Sequence, residues 1–349
     1  MIKQNVALAP LTTLRIGGAA KQFARFETVG ELVALLASDE KILILGGGSN
    51  VVIRDAGWDG LVIQPACTSV RRFGLFEEYA IVSAFAGVVW DDFVAQMIGE
   101  GLAGLECLSG IPGLVGATPM QNVGAYGQEV ADTIVFVRAY DRERNEVVKI
   151  EAADCGFAYR TSRFKASARW IVLEVRFKLP RRGRGRDADD SMPVKYGELA
   201  TALAIAPGGT APLARVRDTV IALRRGKGMV VDANDPESRS AGSFFTNPIV
   251  DAATAAQVER RAGTVPPQWP QPDGSIKLAA AWLIERAGFA KGYTHAASAG
   301  RVGISHKHAL ALVNRGDASA ADLLALADTI IAGVQERLGV ILVPEPVIV

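Results

Sequence analysis

Cysteine is nearly missing from this chain: Cys67, Cys107 and Cys155 are the only three in 349 residues, far apart, odd in number and without a CxxC pair. Such a set supports neither a disulfide framework nor a zinc site, and it speaks for a reducing compartment. Histidine is equally scarce. His295, His306 and His308 all fall near the end, which argues against a His-rich metal centre and against a Ser-His-Asp hydrolase built on a first-half nucleophile. Charge of one sign is lacking too, with Lys+Arg 38 against Asp+Glu 37, so the phosphate-neutralising surplus of a nucleic-acid binder is absent. No apolar run approaches the roughly 20 residues needed to span a bilayer. Met1-Ile2-Lys3-Gln4-Asn5 lacks the charged start and apolar core of a signal peptide. The expectation is a cytoplasmic protein, acting as a monomer, with no nucleic-acid or membrane partner and no metal.

What is present is a 49% hydrophobic, 21% charged chain, ordinary for a globular enzyme and long enough for two or three domains. Thr28-Val29-Gly30-Glu31 reads as a capping box opening a short helix with Leu32, Leu35 and Leu36 on one face. Strands are expected at 41–45, 51–53 and 61–63, with a turn at 57–60, and a second lobe begins near residue 70. That lobe carries strands at 81–86, 134–140 and 170–179, and a helix at 90–98. Helices follow at 211–225, 277–287 and 320–338, the last opening at Ser319 and presenting Leu323, Ala327, Ile330, Val334 and Leu338 before Gly339. Residues 181–190, rich in arginine and aspartate, read as a solvated connector, with a basic phosphate contact as the alternative. Another loop spans 226–240. The mix is α+β.

Two glycine-rich loops stand out. Gly46-Gly47-Gly48-Ser49-Asn50 follows an apolar strand, yet Val51 occupies the sixth place of a dinucleotide fingerprint and strand-forming residues come next, so a Rossmann reading fails on context. The loop suits either an anion nest of backbone N–H groups or a tight turn with positive φ. The second run, Ser109 to Pro119, includes Ile111, Pro112, Gly113 and Gly116 and leads into Gln121-Asn122-Val123-Gly124-Ala125-Tyr126-Gly127. Two such loops, each after a strand, suit a long extended ligand such as FAD. Three further segments pair a guanidinium, a hydroxyl and a carboxylate as a plausible proton-transfer set: Tyr159-Arg160, Ala241-Gly242-Ser243-Phe244-Phe245 and Pro344-Glu345-Pro346.

Together with Leu11-Thr12-Thr13-Leu14-Arg15-Ile16-Gly17-Gly18, these segments run in order from the first twenty residues to the last five. In this the chain resembles the UDP-N-acetylenolpyruvoylglucosamine reductase (MurB) family. The resemblance implies a two-lobed FAD-binding scaffold of the vanillyl-alcohol-oxidase/MurB type plus a C-terminal α+β substrate domain. We place the lobes at 1–68 and 69–220, the substrate domain at 221–335 and a returning C-terminal segment at 336–349. It implies an FAD-containing, NADPH-dependent reduction of an enolpyruvyl ether to UDP-N-acetylmuramate in peptidoglycan precursor synthesis, with one pocket serving both nucleotides in ping-pong fashion. Some relatives of this scaffold bind flavin covalently through histidine. This chain has no histidine before His295, so non-covalent FAD is expected.

The resemblance also assigns roles. Arg160 would bind the substrate carboxylate, where a permanently charged bidentate donor suits developing negative charge. Ser243 would give the proton to the enol carbon, and Glu345 would assist at the enolate. Gly46, Gly47, Gly48, Ser49, Asn50, Ile111, Pro112, Gly113, Gly116, Gly124 and Tyr126 would bind the cofactor. Tyr159 and Tyr196 would face substrate, Tyr196 as the mobile tyrosine of the longer family subtype, with a core aromatic as its bland alternative. Lys227 would hold the diphosphate and Asn247 its uridine side. His308 lies where the family has substrate contacts, and a capped core histidine fits its residues equally. The family often continues past the glutamate with Val-Arg-Phe, where this sequence has Pro346-Val347-Ile348-Val349. An FAD-dependent oxidase on the same scaffold, or a non-catalytic nucleotide-binding regulator, would keep the glycine loops without needing Ser243 and Glu345 together.

Overall fold

The structure, a computed structural model, describes residues 1–165, 167–181 and 190–349. Most of the arginine-rich stretch expected as a connector at 181–190 lies outside the described residues. The chain divides into two compact units: Met1–Lys3, Gln22–Gly47 and Gly60–Arg225 form the first, and Gln4–Lys21, Gly48–Asp59 and Gly226–Val349 the second. The glycine loop at 46–50 therefore begins in one unit and ends in the other.

In the first unit, helix α1 (Val29–Leu36) opens with the predicted capping box, Thr28 and Glu31 each satisfying a backbone N–H of the other. It packs Leu32 into a core with Leu61, Ile63 and Phe26 that also takes in Tyr140, Ile171 and Leu173. The strands Ile42–Ile44 and Trp58–Pro65 pair in parallel, with Ile42 opposite Leu61. Here the expected turn at 57–60 is displaced to 54–57, where Gly57, at φ +72°, donates its N–H to the Arg54 carbonyl at 2.9 Å, and Gly60 already lies in the strand. A Cβ on Gly60 would sit 2.2 Å from the Lys41 carbonyl oxygen, so this glycine serves close strand approach.

A larger antiparallel sheet follows, in the order Glu146–Glu151, Ile134–Asp141, Trp170–Pro180, Tyr79–Phe85, Val70–Leu75. Helix α2 (Trp90–Gly99) lays Trp90, Phe93, Val94 and Met97 into its core, where Trp90, Phe93 and Phe177 pack as a cluster of tilted rings. A third core gathers around α3 (Gly197–Ala202) and α4 (Leu213–Gly226), with Leu199, Leu203, Val216 and Val220 fully buried.

The second unit wraps α5 (Ala252–Ala262), α6 (Ala280–Arg286) and α7 (Ala320–Leu338) around Phe244, Phe245 and the hairpin Val302–Ile304/Leu312–Asn314. α7 starts at Ser319 in a capping box with Asp322 and stops at Gly339 in the left-handed conformation, φ +78°. Its predicted stripe is buried. The helix expected at 277–287 is shorter than its pattern: Ile276–Leu278 is a strand paired between Ile249–Val250 and Gln268–Pro270, and α6 begins at Ala280. Pairing with a distant strand overrides the local helical spacing. The C-terminal residues Val347–Ile348 run parallel to Val51–Val52. No helix among the described residues is long and apolar enough to cross a membrane.

Candidate active site

The first unit builds its part around Arg160. This residue occupies a tight turn closed by reciprocal Ala158 and Thr161 backbone bonds, at φ +53°, a conformation that costs a non-glycine residue of order 1 kcal/mol or more. Its guanidinium Nη2 donates to the Gly124 carbonyl at 3.1 Å and lies over the Tyr159 ring at 5.6 Å. Its own carbonyl accepts from Lys165 Nζ at 2.8 Å. Gly124 and Tyr126, the latter also at positive φ, thus share one turn region with Arg160. Asn122 fixes that region by donating to Glu129 and to the Ala158 carbonyl.

Arg224, at the end of α4, carries a second guanidinium into the same neighbourhood. Burial lowers its pKa to about 10, opposed by Tyr126 and Asp91 and reinforced by the like charge of Arg160. Tyr126 is pushed up to about 12, chiefly by burial, with Arg224 pulling the other way. Asp91 forks onto Arg217 at 2.7 and 2.8 Å and accepts from Gly110 N–H at 2.6 Å. Burial opposes its ionisation, but these partners hold its carboxyl below the usual range. The local field is electropositive and suits an anion. Sequence reading missed Arg224, because nothing in Leu223-Arg224-Arg225 distinguishes a buried arginine from a solvated one.

Tyr196 precedes α3 and packs edge-on against Tyr126, ring centroids 5.5 Å apart, while 46% of it remains exposed. The segment leading to it is pinned by Glu106, a fully buried carboxylate that accepts from Gly104 N–H and Met192 N–H at 2.6 and 2.7 Å.

The glycine loops fit a cofactor that needs backbone contact. A Cβ on Gly47 would stand 2.7 Å from Gly113 Cα, and one on Gly46 would touch Ala117 at 3.4 Å. Gly116 abuts Ala86, where an added Cβ would come within 2.5 Å. The two runs therefore meet backbone to backbone, an approach that only glycine permits. Ile111 and Pro112 are half-buried beside Gly113. Gly48 turns at φ +64° against the Leu11 carbonyl. The segment Leu11 to Gly18 is thereby explained as the bed of the loop's far end.

In the second unit that far end is tied to both remaining segments. Thr13 donates its N–H to the Gly48 carbonyl at 3.1 Å and its hydroxyl to the Ser240 carbonyl at 2.6 Å. Asn50 accepts from Val347 N–H at 3.0 Å and reaches the Glu345 carbonyl at 3.5 Å. Glu345 N–H donates to the Phe244 carbonyl at 2.8 Å, and Phe244 N–H to the Leu310 carbonyl at 2.8 Å. Ser243, half-buried, is held between Gly242 at φ +75° and the fully buried Phe244. Glu345 is only 9% exposed, far from the solvated state usual for a glutamate so near a terminus.

The other predicted contacts spread through the second unit. Lys227 directly follows α4 and is half-buried. Asn247 uses its carbonyl oxygen to accept from Ala280 N–H at 2.9 Å, supplying the cap that α6 lacks at Ala279, so its amide NH2 is the end it can present. His308 Nδ1 accepts from Leu310 N–H at 3.1 Å, which leaves the proton on Nε2. The same Leu310 holds Phe244, so His308 is two residues from the support of the Ser243 segment.

These features define a flavoprotein class. Residues 20–151 match the FAD binding domain family, and residues 235–349 match the family described as UDP-N-acetylenolpyruvoylglucosamine reductase, C-terminal domain. The chain is 49% identical over 356 residues to a UDP-N-acetylenolpyruvoylglucosamine reductase of Thermobifida fusca, covering 99% of this chain and 97% of that one. A relative of the same name from Streptomyces avermitilis is 51% identical over 357 residues, covering 99% and 94%. The crystal structure of the Thermus caldophilus reductase superposes with a TM-score of 0.67 at 26% identity, covering 100% of this chain and 99% of the other. The chain belongs to the UDP-N-acetylenolpyruvoylglucosamine reductase family.

Proposed function

We propose that Arg160, Ser243 and Glu345 serve an NADPH-dependent, FAD-mediated reduction of UDP-N-acetylglucosamine enolpyruvate to UDP-N-acetylmuramate, the peptidoglycan-precursor step of the family to which this chain belongs. FAD, when bound, supplies the hydride that it has taken from NADPH to the vinyl carbon beta to the carboxylate. Arg160 stabilises the negative charge that then builds on the carboxylate, and the buried Arg224 adds to the same field. Ser243 Oγ–H gives its proton to the alpha carbon, and Glu345 assists at that position. A serine hydroxyl is a weak acid, so its position must be fixed beforehand. The observation that carries this reading is the network in the second unit. Thr13 and Asn50 join the end of the glycine loop to Ser240, three residues before Ser243, and to Glu345, so the segment expected at a cofactor and the segments bearing the proposed proton donor and carboxylate are held by shared hydrogen bonds.

The glycine loops and Tyr126 take the cofactor without a covalent bond, and Tyr159, Tyr196, Lys227, Asn247 and His308 contact the sugar nucleotide. Tyr196 closes by leaving its edge-on contact with Tyr126. Residues 1–68 and 69–220 act as the two flavin lobes. Residues 221–335 act as the substrate domain, and 336–349 return to the site. The protein works as a cytoplasmic monomer without nucleic-acid or membrane partners. An anaerobic absorbance titration tests the reading. NADPH should bleach the flavin, and UDP-N-acetylglucosamine enolpyruvate should restore the oxidised spectrum, one equivalent per flavin. Bleaching without recovery would assign a different acceptor.

A further inference from the structure

Beyond the residues proposed to touch substrate, one half-buried carboxylate in the second unit has no part in the proposed chemistry but is fully occupied. Glu237 sits in the 3-10 turn Pro236–Ser238, and its side chain is only 15% exposed. Oε2 accepts from Ser305 Oγ at 2.5 Å and from His306 N–H at 2.7 Å. Oε1 lies 3.0 Å from His306 Nδ1. These bonds together hold the carboxyl below the usual range, although burial works against ionisation. Beside it, Lys307 Nζ pairs with Asp235 at 2.7 Å, and Asp235 accepts from Glu237 N–H at 3.1 Å. The turn 235–237 is thus pinned to 305–307 through both of its acidic side chains.

What this pinning controls follows from Gly228, at φ +67°. A Cβ there would stand 2.9 Å from the Glu237 carbonyl oxygen and 3.4 Å from Glu237 Cβ, so the backbone at 228 rests directly on Glu237. Lys227 lies between that contact and the end of α4. Downstream, the chain is held independently. Asn314 N–H donates to the Arg239 carbonyl, Ser240 pairs with Val313, and Thr13 bonds Ser240. Loss of the Glu237 bonds therefore loosens the Lys227 side of the loop and leaves the Ser243 side in place.

We propose that Glu237 is a positioning residue for nucleotide binding: by clamping the 228–238 loop to the 305–307 turn it fixes the backbone from which Lys227 reaches the substrate diphosphate. This rests on the reading of Lys227 as the diphosphate contact. In Glu237→Gln one acceptor becomes an NH2 group facing donors, so the clamp fails on one side. The test is a double-mutant cycle on the flavin-loaded enzyme, measuring Kd for UDP-N-acetylglucosamine enolpyruvate and steady-state kcat and KM. Glu237→Gln should raise Kd and KM about tenfold, the equivalent of about 1.4 kcal/mol, with kcat within about threefold. Lys227→Ala should raise them at least as much, and the double variant should be no worse than Lys227→Ala alone. Unchanged binding in Glu237→Gln, a loss confined to kcat, or additive effects would each overturn the inference. If Lys227→Ala itself binds normally, the diphosphate reading fails as well, which separates the two claims. Should Glu237→Gln melt below the working temperature, Ser305→Ala removes one bond to the same carboxylate and carries the same cycle, with an expected rise in Kd of about threefold.

Discussion

The two units hold their proposed catalytic side chains by opposite means. In the first, Arg160 stands on a strained turn at φ +53° beside a second, buried arginine and a tyrosine raised to about 12. Charge and burial do the work, and the side chains are held by ring contacts and carbonyls. In the second, Ser243 and Glu345 lie on irregular segments whose backbones are bonded to one another and to the glycine loop through Phe244, Thr13 and Asn50. Position does the work there. The difference matches the tasks proposed for these residues. A group that stabilises charge must be permanently ionised in a weakly screened place, whereas a weak acid that gives up one proton must above all be aimed.

The strongest way to break this comparison is to remove the aimed proton. Ser243→Ala should lower steady-state turnover by about 10²–10⁴, the range of a positioned general acid, with flavin content unchanged. Arg160→Lys keeps the charge but loses the planar fork, and should cost about 10²–10³ in kcat/KM. A loss below threefold would mean that charge alone suffices. Gly47→Ala forces a Cβ to 2.7 Å from Gly113. It should cost about 1–3 kcal/mol of stability and lower the flavin-to-protein absorbance ratio of the purified enzyme. Thr13→Val deletes the hydroxyl bond to Ser240 at 2.6 Å, for about 1 kcal/mol in urea denaturation.

The smallest effect tests pH. Asp322 is forked by Arg301 at 3.0 and 3.0 Å, which with the Ser319 cap lowers its pKa to about 2 from the usual 3.8. Its folded pKa is depressed, so its contribution is present above the unfolded value and fades as pH falls through about 2. Asp322→Asn should lower Tm at neutral pH, with the gap to the unmodified chain narrowing on acidification below ~4.

What could be read from the sequence was local or glycine-dependent. The capping box at Thr28/Glu31, the helix start at Ser319 and the α7 stripe were legible because their partners lie within one helical turn. The glycine loops were legible because few other uses explain so many small residues together. α5 was missed, since its Ala-rich start hides a stripe of only Ala255 and Val258 and its signal rests on Asp251 capping Thr254. The strand at 276–278 was hidden because its partners are distant. The same limit applies to the site. Arg160, Ser243 and Glu345 are proposed from their neighbours in sequence. Arg224, Glu106 and Glu237 draw their meaning from residues far along the chain, such as Met192 and Ser305.

The most direct test separates the half-reactions of Ser243→Ala in an anaerobic stopped-flow experiment. NADPH should bleach the flavin within about threefold of the normal rate, while reoxidation by UDP-N-acetylglucosamine enolpyruvate should slow by at least about 10². Reoxidation at the normal rate would contradict the account, because the proton would then come from somewhere other than Ser243.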